Sequence, residues 1–88
     1  MKLIVAILRD EDCERISHGL ISSEFRVTQI ASTGGFLRRG STTLMIGVED
    51  GKVDQAIDII KENSSPPADS GQRKATLFVL NVVDFEQV

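Results

Sequence analysis

The residues best suited to chemistry sit together in one stretch, "TGGFLRRGSTT", residues 33–43. It offers glycines that let a ligand approach the backbone, Arg38 and Arg39 for an anion, and Phe36 and Leu37 for a flat apolar surface. "GFLRRGS" comes close to the phosphate-cradling pattern G-x-x-x-x-G-K-[ST], but Ser41 stands where the lysine belongs. That pattern also needs a helix N-terminus directly after it, whose N–H groups point at the phosphates, whereas here a β-branched apolar run follows. A nucleoside-triphosphatase loop is therefore excluded. Two readings remain: a hairpin loop whose glycines supply positive φ, and a loop that helps to hold an anionic small molecule.

Charge distribution bears on that choice. No acidic residue lies between Glu24 and Glu49, while Arg26, Arg38 and Arg39 are basic, so a chain of net charge −3 keeps one locally positive segment. An anionic ligand suits it, and so does a solvated arginine pair. Phe36 and Leu37 at a polar loop tip suit packing on a planar base or on a neighbouring subunit.

Other chemistries lack their residues. A nucleic-acid reader of the RNA recognition type needs aromatics on its central strands, and "KLIVAIL" and "TTLMIGV" have none. His18 has no nearby nucleophile or second ligand, and Cys13 falls on the apolar stripe of a helix, where it reads as buried filler. The carboxylates of "DEDCE" read as helix-start charges rather than a metal cluster. No catalytic residue, cofactor or metal is expected, so the chain reads as a non-enzyme.

These groups must be positioned by a small domain, taken here as residues 1–88. "MKLIVAIL" is too short to span a membrane and lacks a cleavage site after it, and the single cysteine fits a reducing compartment; a cytoplasmic location is expected. Lys2 to Leu8 predicts a central strand. Asp10 is a candidate cap for a helix with Glu11, Asp12 and Glu14 in its first turn and an apolar stripe of Cys13, Ile16, Leu20 and Ile21. Phe25 to Ser32 alternates, with Phe25, Val27 and Ala31 on one face and Arg26, Thr28 and Ile30 on the other. "STTLMIGVE" predicts a third strand, in which Gly47 implies a bulge or the close approach of something to the backbone. Val53, Ala56, Ile57 and Ile60 have helical spacing, with Asp50 as expected cap and Asn63 as expected stop. "NSSPPADSGQ" is a turn-rich connection, and "KATLFVLNVVDF" predicts the last strand.

The order βαββαβ is that of the α+β, ferredoxin-like fold: an antiparallel sheet with both helices on one face. Its strands are apolar on both faces, and two helices cover only one. Self-association over the other face is the expected consequence.

"MKLIVAI", "FRVTQIASTGGFLRRGSTTLMIGVED" and "ATLFVLNVVDFEQV" together resemble the PII-like cyclic di-AMP receptor proteins of Gram-positive bacteria. The likeness spans most of the chain, and its most specific part is "TGGFLR-G-TT" followed by a glycine in the next strand. It implies a homotrimer of ferredoxin-like subunits that binds cyclic di-AMP, or another adenine nucleotide, between neighbouring subunits. The pocket residues it implies are Arg26, Thr28, Gly35, Phe36, Leu37, Ser41, Gly47 and Gln87. Arg26 would pair with a phosphate, Gly47 would admit a base, and Phe36 and Leu37 would contact adenine. Three features depart from the family pattern. Ser41 replaces an asparagine whose amide offers both donor and acceptor. Glu24 replaces a neutral polar residue and would oppose a phosphate. The loop before the last strand is shortened to about "ENSSPPADSGQRK". A sensor with a different ligand and a purely structural trimer are the competing readings.

Overall fold

The computed structural model describes residues 1–30, 41–64, 75–83 and 86. Among these residues four strands and two helices follow in the expected order: β1 (Lys2–Arg9), α1 (Asp10–Ser22), β2 (Arg26–Ile30), β3 (Ser41–Val48), α2 (Val53–Glu62) and β4 (Ala75–Asn81). The strands form one antiparallel sheet ordered β2-β3-β1-β4. The β-branched and apolar run of β1 therefore lies inside the sheet, flanked by β3 and β4. This is the ferredoxin-like α+β fold.

Period-two alternation divides the sheet into two faces. On one, Ile4, Ala6 and Leu8 of β1 and Leu44, Ile46 and Val48 of β3 are buried against Cys13, Ile16 and Leu20 of α1 and Ala56 and Ile60 of α2. Each fully buried leucine or isoleucine in this set contributes roughly 1.5–3 kcal/mol. The helices cross closely at Gly19, where a Cβ would lie 2.9 Å from Asn63 Nδ2 and 3.0 Å from Ile59 Cγ2. The other face carries Leu3, Val5 and Ile7, Met45, Ile30, Phe78 and Leu80. No element among the described residues covers it, and Phe78 is 52% and Leu80 49% exposed.

The helix starts differ from expectation. Strand β1 runs into α1 without a loop, so Arg9 takes the cap position and Asp10 is already helical. Its carboxylate instead accepts a hydrogen bond from the Thr42 hydroxyl, tying the start of α1 to the start of β3. Asp50 is likewise no cap for α2. It opens a short 3-10 turn, Asp50–Lys52, and pairs with the N-terminal ammonium at 2.9 Å, which holds its carboxyl below the ordinary value of 3.8. Asn63 ends α2 as expected, its side-chain amide donating to the Ile59 carbonyl at 2.8 Å. Ile21 leaves the predicted stripe and is 60% exposed, because it is turned about 100° round the helix from Leu20, off the line of Cys13, Ile16 and Leu20.

Asp12 is more than a helix-start charge. It is fully buried between Arg9 and Arg15, with nitrogen–oxygen distances of 2.9 and 2.6 Å. The three residues stand three apart, on one side of the first helical turns, which is the sequence signal for this contact.

Candidate functional site

Strand β2 is reached through a sharp helix stop. The Glu24 N–H donates to the Ile21 carbonyl at 2.9 Å and the Phe25 N–H to the Leu20 carbonyl at 3.0 Å. This is the Schellman pattern, with buried Phe25 packed into the same core as Leu20. Its key position requires the left-handed backbone that glycine or asparagine adopts readily, yet Glu24 occupies it at φ 69°. The turn sends Phe25 into the core and so places Arg26 on the opposite, open face.

From there the register sets the site. Arg26 lies directly across from Gly47, and Thr28 from Met45. Gly47 in turn faces Leu3 of β1, with the ladder continuous on both sides. The glycine therefore marks no bulge; of the two expectations for it, close approach is the one realised. A Cβ on Gly47 would lie 3.0 Å from the terminal methyl of Met1. Among the described residues nothing else comes within 4 Å of that point.

Ser41 belongs to the same open face, opposite Arg9 at the far end of β3. Between it and Met45 sits Thr43, only 7% exposed, whose hydroxyl has no hydrogen-bond partner among the described residues. Four of the eight expected site residues, Arg26, Thr28, Ser41 and Gly47, thus share one sheet face. Gly35, Phe36, Leu37 and Gln87 lie outside the described residues, as do Arg38, Arg39 and most of the connection before β4.

The electrostatics agree with an anion on this side, since β2 and β3 carry Arg26 and no carboxylate. The helix side differs. A shallow depression there is lined by Glu11, Glu14, Arg15, His18 and Asn63. It mixes both signs of charge and contains no nucleophile paired with a base. Among the described residues no three His, Cys, Asp or Glu side chains are grouped to hold a metal. His18 is exposed and Cys13 buried, its thiol 3.8 Å from Gln29 Oε1. No helix among the described residues is long and apolar enough to cross a membrane.

Solved structures share this fold. A crystal structure of a functionally unknown protein from Pediococcus pentosaceus superimposes with a TM-score of 0.77 at 37% sequence identity, over 99% of this chain and 96% of that one. The family model described as cyclic-di-AMP receptor matches residues 1–70, a span that holds β1 to α2 and every described residue of the candidate site. The chain belongs to the cyclic-di-AMP receptor family.

Proposed function

We propose that this protein is a non-enzymatic, cytoplasmic signalling receptor that binds cyclic di-AMP in clefts between the subunits of a homotrimer. The observation that carries the reading is the Arg26–Gly47 register, with Thr28 next on the same face. A guanidinium beside a strand position without a side chain offers a charge-assisted phosphate contact next to a slot for a flat base. The family membership supplies the ligand class. The uncovered face, with Ile30, Phe78 and Leu80 exposed among half-buried Leu3, Val5, Ile7 and Met45, supports assembly, because an apolar patch of this kind is seldom left in water.

Ser41 favours a second reading, a sensor of another adenine nucleotide, because a hydroxyl cannot present the paired donor and acceptor of an amide to an adenine edge. Calorimetric titration with cyclic di-AMP, cyclic di-GMP, ATP and AMP separates the two. Cyclic di-AMP should bind most tightly, and Arg26→Ala should abolish most of that affinity. Preference for a mononucleotide would transfer the assignment to the second reading. Sedimentation should give a trimer at micromolar concentration, and a stable monomer would remove the intersubunit site.

A further inference from the structure

We propose that Met1 is a ligand-contacting residue: its side chain closes the slot above Gly47, swings aside when a base enters, and then packs against that base. The inference rests on the reading that an adenine approaches at Gly47, and it adds a residue that the sequence pattern did not mark.

The geometry is specific. Met1 shares the alternation of Leu3 and so lies on the open face, and its methyl sits 3.0 Å from where a Gly47 Cβ would be. A base that touches the Gly47 backbone must occupy the volume of that methyl. The Met1 backbone cannot retreat with it, because its carbonyl accepts the Val82 N–H at 3.1 Å and its ammonium pairs with Asp50 at 2.9 Å. The side chain can move, since the residue is 49% exposed and methionine turns about three bonds. A thioether displaced from a pinned backbone stays beside the incoming ring. Sulfur–aromatic contact is favourable, and its size corresponds to a gain in affinity of up to about tenfold. Arg26, opposite Gly47, fixes the phosphate at the same end, so that base, thioether and guanidinium would converge on one point of the sheet.

The chain's two methionines make the test direct, because Met1 and Met45 give two methyl signals in protein labelled at the methionine methyl carbon. Met45→Leu assigns them. Titration with cyclic di-AMP should move the Met1 signal upfield through the adenine ring current, saturating at the calorimetric midpoint. Gly47→Ala should move the same signal without ligand, because the new Cβ displaces the methyl. Calorimetric binding with an unmoved Met1 signal would overturn the inference and leave the receptor reading intact. A Met1 signal indifferent to Gly47→Ala would overturn it too. If none of the four nucleotides gives heat, the receptor reading falls and the inference with it.

Discussion

Replacing Glu24 by asparagine or glycine should stabilise the protein without touching its core. Glu24 holds φ 69° at the end of α1, and an L-residue in that region costs roughly 1–2 kcal/mol. Asparagine tolerates the region well, while glycine relieves the cost fully but gives back about 0.5–1 kcal/mol through its freedom in the unfolded chain. A second penalty comes from charge. Glu24 lies past the negative end of the α1 dipole, which has no basic residue in its last turn, and such a carboxylate costs roughly 0.3–1 kcal/mol. Glu24→Gln removes only the charge, so it should gain a few tenths of a kcal/mol, whereas Glu24→Asn and Glu24→Gly should each gain about 1 kcal/mol. For a chain of this length, that is a rise in melting temperature of about 4–8 °C. Thermal unfolding followed by circular dichroism reads it, at one fixed protein concentration because self-association also raises the apparent stability. If Glu24→Asn and Glu24→Gly melt no higher than Glu24→Gln, the backbone argument is wrong. The same trio separates stability from binding: removal of a charge that opposes phosphates should strengthen cyclic di-AMP binding equally in Glu24→Gln and Glu24→Asn.

Gly47→Val should abolish nucleotide binding but leave the melting temperature within a few degrees, since among the described residues the new Cβ meets the flexible end of Met1; full binding would displace the site from Gly47. Ser41→Asn should tighten cyclic di-AMP binding by about tenfold, one net hydrogen bond's worth, measured by calorimetry. Asp12→Asn should destabilise the fold by roughly 1.5–3 kcal/mol in urea unfolding, because the buried Asp12 loses its charge-assisted contacts to Arg9 and to the more exposed Arg15. The Asp50 carboxyl is lowered in the folded state, chiefly by its hydrogen bond to the N-terminal ammonium, so its contribution is present above pH 3.8 and is lost as pH falls through the lowered value. In an acid unfolding series, the difference between parent and Asp50→Asn should therefore shrink below that pH and vanish; a constant difference would refute the pairing.

Much of this fold was legible because its signals were local and periodic. The β-branched runs at Lys2, Ser41 and Ala75, and the helical spacing of Val53, Ala56, Ile57 and Ile60, each forced one element. The open face was legible too, from strands apolar on both sides. What escaped were contacts that depend on tertiary geometry. Asp10 and Asp50 have the composition of caps, but a partner from elsewhere claimed each carboxylate: the Thr42 hydroxyl and the terminal ammonium. Asp12 looked like another helix-start charge because burial of a carboxylate needs two arginines folded over it, and only their three-residue spacing hinted at that. The Glu24 conformation was invisible for a different reason. Nothing in "SSEFR" marks a left-handed residue when neither glycine nor asparagine is there.

The positions of Ser41 and Gly47 bear on how binding and assembly are linked. They share a face but stand six residues apart on β3, which at strand rise is about 20 Å. One adenine cannot reach both. Arg26 faces Gly47, so the proposed phosphate contact and base slot lie at one end of the β2–β3 pair, while Ser41 lies at the other, beside the end of β1. On the proposed reading, a compact ligand that uses both ends must lie where the Gly47 end of one copy meets the Ser41 end of another. The surface between those ends is the apolar strip of Leu3, Val5, Ile7 and Met45. Covering it by assembly is what would bring the ends of different copies together, and a hydrophobic contact without direction of its own would gain direction from the ligand's phosphates and base edges. Occupancy and assembly would then stabilise each other, since a ligand that binds only the assembled form must strengthen it by mass action.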